Sequence, residues 1–318
     1  MVTVQAVVIP EPHKVGLQAV NIREAQANEV VIDTAYTSIS AGTERMLLAG
    51  QMPHPMLQLP VVPGYETVGH VVSVGADVSP DLVGTAVYVG GAHCYDDVNP
   101  AWGGQSARLV ASADKVVPLN GVDPRQGVLL ALSATALHGV DVLNPAENDR
   151  VLVIGQGPVG QLAGRIVRQR GAWVAVSDLN SQRLERSVGD EIINVAETDL
   201  SEVITEPVNA IIEASGSMQA LASALPHLAN GGTILLLGYY STLDLPYMPL
   251  FLKEAKVLTA KEWGATDLQR SRDMIADGSL EVASLLTHEM PIQEVTAGYD
   301  IAMNDASCLK LVLDWSAL

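Results

Sequence analysis

The stretch from Val151 to Gly160, VLVIGQGPVG, is the one on which the fold turns. VLVI reads as a short strand buried on both faces. Gly155, Gly157 and Gly160 follow in G-x-G-x-x-G spacing, and QLAGRIVRQR carries helical periodicity up to Gly171. Glycines so spaced are common and mean little alone. Between a buried strand and a helix they meet the needs of a phosphate site. Gly155 permits the tight turn, Gly157 lets a pyrophosphate approach the backbone, and Gly160 lets helix and strand pack closely. Pro158 and Val159 complete the loop and open the helix, whose N-terminus attracts phosphate. The bland alternative is a tight turn with no ligand.

Working outward, the same rhythm continues. WVAVSD, EIINVA, NAIIEAS, TILLLGYY and KEAKVLTAKE read as strands, with helices in NSQRLERSVG and SMQALASALPHLANGG. Doubly apolar strands alternating with helices predict a parallel sheet covered on both faces. Asp178 closes the second strand, eighteen residues beyond Gly160. A carboxylate there suits the adenosine ribose hydroxyls and repels a 2′-phosphate, favouring NAD over NADP. Arg183 nearby works against that preference, and Asp178 is equally placed to cap the next helix. Ser215-Gly216 and Gly238-Tyr239 end two later strands, where the nicotinamide half is expected.

The first third has a different texture. VTVQAVVI, EVVIDTAYTSIS, ETVGHVVSVGA, TAVYVG and SARLVASADKVVPL are β-rich runs punctuated by Gly, Pro and Asp. DPRQGVLLALSATALHGVDVL reads as one long buried helix with Asp123 as its cap. After Trp263 come two amphipathic helices and a last strand, CLKLVLDW, which is expected to return to the first domain.

The chain has 318 residues, 48% of them hydrophobic, which is enough for two ordinary domains with substantial cores. Acidic residues outnumber basic ones 36 to 18, giving a net charge of -18. That excludes a basic nucleic-acid face and disfavours docking on anionic lipid. Two distant cysteines, Cys94 and Cys308, build neither a disulfide framework nor a Cys-rich zinc lobe. With no signal-peptide pattern at MVTVQAVVIPEP and no spanning apolar run, the expected setting is the cytoplasm.

These features resemble the medium-chain dehydrogenase/reductase superfamily over nearly the whole chain. SISAGTE (residues 38–44) resembles the superfamily's G-I-C-G-T-D segment, and PGYE (63–66) its P-G-H-E. GGQSARLVASADKVVPL, EASGS and GGTILLLG resemble later segments. The resemblance implies an α/β fold, with a GroES-like β-rich catalytic domain plus a Rossmann doubly wound parallel-sheet domain. The expected division is residues 1–133 with 264–318 for the first and 134–263 for the second. In zinc-dependent members a Cys of the first motif, the His of P-G-H-E and a later Cys or Glu bind catalytic zinc. Here Ala41 and Tyr65 stand in the first two places, and Ala131 or its neighbours in the third. The resemblance therefore implies hydride transfer but carries over no metal. AGTE, VPGYE, GAHCYDD and SCLKLVLDW look more specifically like a zinc-free branch, the bacteriochlorophyllide dehydrogenases of bacteriochlorophyll biosynthesis. That branch oxidises the 1-hydroxyethyl group of a chlorin to acetyl with NAD.

The candidate catalytic residues are Thr43, Tyr65 and Glu66. The resemblance puts Thr43 where a hydroxyl contacts the substrate alcohol. Tyr65 replaces the metal-binding imidazole, and Glu66 orients Tyr65 or binds an Arg. Each has a plainer reading: Thr43 as a helix cap, Tyr65 as packing, Glu66 as a structural ion pair. His93, Cys94 and His138 together with Glu66 make a substitute metal site only as a minority reading. For a planar macrocycle, the expected cleft draws on Met52, Met56, His93, Tyr95, Trp102 and His138. Tyr239, Tyr247 and the rest of MPHPML are further candidates, and anchoring of that loop is the competing explanation. His54 is placed to reach a central magnesium only as a remote option. Two other functions stay open: a zinc-free quinone or enone reductase, and a dinucleotide-binding protein without chemistry. A homodimer pairing through the KEAKVLTAKE edge is expected.

Overall fold

Alternation of buried strands with helices gives the second half of the chain its parallel sheet. In the computed structural model, residues 2–52 and 57–318 are described. The chain divides into two compact units, Met1–Ala131 with Leu286–Leu318, and Leu132–Leu285.

In the second unit six strands run parallel in the order Glu191–Asn194, Trp173–Asp178, Arg150–Ile154, Val208–Glu213, Leu228–Leu236, Lys256–Thr259. The order reverses between Arg150–Ile154 and Val208–Glu213, which is where doubly wound sheets bind ligands. Leu152, Ala175, Ile211 and Ile234 are buried under the covering helices. The helix expected over SMQALASALPHLANGG stops at Ala224, and a 3-10 turn Leu225–His227 follows. Pro226 lacks the N–H that a continuing helix needs. Lys256–Thr259 is an edge strand.

The expected boundary at residue 263 does not match this division. Residues 264–285 pack with the second unit, through Arg165 to Glu281 at 2.8 Å and Arg270 to Asp141 at 2.5 Å. Amphipathic periodicity alone did not say which apolar face would receive the helix Asp267–Ala276.

In the first unit a seven-stranded sheet is centred on Glu29–Ser38, which pairs with Thr67–Val74, Arg108–Ser112 and the closing strand Lys310–Asp314. Val312 opposes Ser38 and Leu313 opposes Thr37, so CLKLVLDW returns to this sheet. Val30, Ile32, Val71 and Leu109 fill its core. The single helix expected from Asp123 is two pieces, Pro124–Gly127 and Leu130–Leu143. Asp123 does cap the first, accepting from Arg125 N at 2.8 Å. Gly127 lies where a Cβ would meet Val68 Cγ2 at 3.0 Å and Leu119 at 3.1 Å, so close packing sets this bend.

Candidate active site

The second unit carries the glycine loop. Gly155 has φ +89, and a Cβ there would meet Ser215 N at 2.6 Å. A Cβ on Gly160 would lie 1.9 Å from Gly155 O, so only glycine closes this turn. Nothing stands within 4 Å of the Cβ direction of Gly157, the N-cap of Pro158–Gln169, so its backbone is open to a ligand. Asp178 accepts from Gln156 N at 2.6 Å and from Asn180 N at 2.9 Å. One bond ties its carboxylate to the loop. The cap of the following helix, Ser181–Leu184, is instead Asn180, whose side chain accepts from Gln182 N and Arg183 N, so Asp178 is not that helix's cap. Arg183 Nε is buried without a hydrogen-bond partner among the described residues. Buried Glu213 organises the next turn, accepting from Ser215 N at 2.8 Å and Gly216 N at 3.1 Å. A Cβ on Gly238 would meet Glu213 Oε2 at 2.7 Å. The bare loop, its helix N-terminus and an adjacent carboxylate fit a dinucleotide: pyrophosphate on the N–H groups, ribose hydroxyls at Asp178.

The first unit carries a polar cluster around Tyr65. The Tyr65 hydroxyl lies 2.5 Å from Ser40 Oγ and 3.2 Å from Thr43 Oγ1. Helix Ala41–Leu48 begins with Ser40 as N-cap, yet Ser40 makes no side-chain cap bond and turns to Tyr65 instead. Thr43 sits inside the first turn, so it is not the cap. Trp102, held at φ +70, meets the Tyr65 ring edge-on at 5.3 Å between centroids. Burial foremost, and next the charge of Glu66, push the phenol well above its usual range; bonds from Ser40 and Thr43 oppose this only in part. Tyr65 is therefore a neutral hydroxyl.

Glu66 lies behind it, fully buried. Its Oε2 accepts from Lys310 Nζ at 2.6 Å and from Ser38 Oγ, while Oε1 is buried without a hydrogen-bond partner among the described residues. Glu44, also buried, accepts from Ser40 N at 3.1 Å, Gln105 Nε2 at 3.2 Å and the Tyr299 hydroxyl. Burial, against those bonds, raises its carboxyl to about 7.

A zinc ion does not suit this donor set. Ala41 and Ala131 have no donor atom, Tyr65 is engaged by two hydroxyls, and an ammonium sits against Glu66. Among the described residues no group of three or more His, Cys, Asp or Glu side chains is arranged to hold a metal.

The other cleft candidates scatter. Met52 is a correction: its apolar side chain is buried in a cluster with Ile9, Leu47, Val61 and Ala101, not facing a cleft. The Tyr95 hydroxyl is spent on Gly103 O at 2.5 Å. His93, Tyr239 and Tyr247 are exposed. His138 belongs to the second unit and bonds Asp267. Pro53, His54, Pro55 and Met56 lie outside the described residues. Sequence reasoning missed Ser40, Glu44, Glu213 and Lys310. A lone lysine inside the apolar run CLKLVLDW was the available signal for Lys310.

Residues 26–121 match the model of the alcohol dehydrogenase GroES-like domain, and residues 158–277 that of zinc-binding dehydrogenase. A 2-desacetyl-2-hydroxyethyl bacteriochlorophyllide A dehydrogenase from Cereibacter sphaeroides is 34% identical, over 98% of each chain. The chain belongs to the medium-chain dehydrogenase/reductase superfamily. As a member it is an oxidoreductase of the alcohol dehydrogenase type, in agreement with the α/β fold. Solved structures of like fold include an Escherichia coli protein described as a short chain alcohol dehydrogenase, in complex with NADH. It is 22% identical with a TM-score of 0.87, covering 98% of this chain and 99% of its own. Another is a putative zinc-binding dehydrogenase from Sinorhizobium meliloti bound to NADP. It is 20% identical with a TM-score of 0.85, covering 99% and 100%.

Proposed function

We propose that this protein is an NAD-dependent alcohol dehydrogenase that works without catalytic zinc. Its substrate on this reading is the 3-(1-hydroxyethyl) group of a bacteriochlorophyllide or chlorophyllide, oxidised to 3-acetyl. The observation that carries the reading is the Tyr65 hydroxyl, set between Ser40 and Thr43 at the motif position where a zinc ligand would stand. The named activity of the 34% identical relative supports the substrate class.

The bound dinucleotide supplies a hydride acceptor. The rest is done by the chain's own groups. The loop at Gly155–Gly160 binds the pyrophosphate, and Asp178 selects NAD through the ribose hydroxyls. Tyr65, kept protonated by burial, donates a hydrogen bond to the alcohol oxygen as negative charge develops, alongside Thr43, and the alcohol's own hydroxyl proton leaves to solvent water. Such donors stabilise an alkoxide less than a metal does. A secondary alcohol beside a conjugated ring needs less help, because its ketone gains conjugation. Glu66 and Lys310 form the buried pair just before the strand Thr67–Val74, next to Tyr65.

The same reading makes the protein a cytoplasmic homodimer. Tyr247, Met248, Phe251 and Leu252 are exposed just before the edge strand Lys256–Thr259, which supports pairing there. The buried thiol of Cys94 suits a reducing compartment, and among the described residues no helix is long and apolar enough to cross a membrane. The test of function is NADH formation from NAD and a hydroxyethyl chlorin, with metal analysis of the same sample. NADH formed in proportion to chlorin, by protein free of zinc, is the expected result. Activity that chelators remove together with stoichiometric zinc would refute it. A monomer by light scattering at micromolar concentration would refute the dimer.

A further inference from the structure

His138 and Asp267 form a hydrogen-bonded pair inside the second unit, with Nδ1 and Oδ2 3.2 Å apart. Asp267 is nearly buried and firmly held. Its Oδ2 accepts from Gly264 N at 2.7 Å and its Oδ1 from Arg270 Nη1 at 3.0 Å. A carboxylate so held accepts from the ring, so the neutral imidazole carries its proton on Nδ1 and has Nε2 as an acceptor. The His138 side chain is 33% exposed, so a ligand can reach it.

The place of the pair matters. His138 lies on helix Leu130–Leu143, next to Gly139, where a Cβ would meet Leu237 Cδ2 at 2.6 Å. Leu237 follows directly on the carboxyl end of the strand Leu228–Leu236. Gly264, the other neighbour, follows the carboxyl end of Lys256–Thr259. Asp178 marks the adenosine half on the opposite side of the switch point, at the end of Trp173–Asp178. A dinucleotide laid across the strand ends therefore puts its nicotinamide half over the side where His138 stands.

We propose that His138, oriented by Asp267, accepts a hydrogen bond from the nicotinamide-nucleoside half of the bound dinucleotide. The donor is a ribose hydroxyl or the carboxamide N–H. This rests on the glycine loop being a dinucleotide site, which AMP binding tests separately. The experiment is equilibrium titration of the full chain and of His138→Leu with NADH and with AMP. Leu keeps the bulk and suits the apolar helix. The expected result is NADH binding weakened about tenfold with AMP binding unchanged. NADH binding equal to the wild type would overturn the proposal. So would equal weakening of both ligands, which marks a general distortion. A wild-type protein that binds neither ligand would overturn the cofactor reading itself. Should His138→Leu fail to fold, proton NMR of the wild-type imidazoles decides. One histidine resonance moved by NADH and not by AMP, and absent from a His138→Gln spectrum, supports the contact. Identical histidine spectra with both ligands contradict it.

Discussion

The ammonium of Lys310 lies 2.6 Å from Glu66 Oε2, with the two side chains 2% and 0% exposed. Residues far apart in sequence thus share one buried ion pair beneath Tyr65. Removing one partner leaves a buried charge without its counter-charge. Lys310→Met is expected to cost about 3 to 5 kcal/mol in urea unfolding. Replacing both, Lys310→Met with Glu66→Gln, should recover much of that loss. A single variant as stable as the wild type would show that the pair is not maintained in solution.

Glu44 gives the fold a pH dependence. Burial raises its carboxyl from 4.5 unfolded to about 7 folded, so the folded protein binds more protons between those values. Its stabilising contribution is full below about pH 4.5 and falls as pH rises to about 7. The expected loss is about 3 kcal/mol over that window. Unfolding free energies should lose this component in Glu44→Gln, whose amide does not titrate. The same pH slope in both proteins would rule Glu44 out as its source.

Tyr65→Phe removes the hydroxyl and keeps the ring against Trp102. Turnover should fall by roughly two to three orders of magnitude, with the unfolding midpoint nearly unchanged. Thr43→Val should cost less, because its bond to Tyr65 is the longer one, 3.2 Å against 2.5 Å to Ser40. Unchanged turnover in Tyr65→Phe would return this residue to packing.

Asp178→Ser removes a carboxylate that accepts from two backbone N–H groups. NAD binding should weaken by about 10- to 100-fold, and NADP binding should improve as repulsion is relieved. Competitive titration of both cofactors measures this. Wild-type protein that binds NADP as tightly as NAD would refute the role given to Asp178, with Arg183 the cation to examine next.

The glycine loop was legible because its requirements are local: a buried strand, three glycines and a helix start within ten residues. Thr43 was legible as a match to a known motif, and Tyr65 as a departure from one. Ser40 was not, although it stands within the same segment. An N-cap serine ordinarily bonds its own helix, and only the fold shows it turned to Tyr65. Lys310 and Glu213 were hidden for a different reason. Their partners are set by strand register and turn geometry, which spacing does not reveal. The boundary at 263 failed likewise, since Arg165 and Asp141, which hold residues 264–285, lie over a hundred positions away.

The most direct test of the account is the chlorin product itself. The purified protein would be incubated with NAD and a 3-(1-hydroxyethyl) bacteriochlorophyllide, and the pigment followed by absorption and mass spectrometry. The expected result is a red shift of the long-wavelength band, from extended ring conjugation, with loss of two hydrogens from the macrocycle. An unchanged pigment, incubated with protein that demonstrably binds NAD, would contradict it.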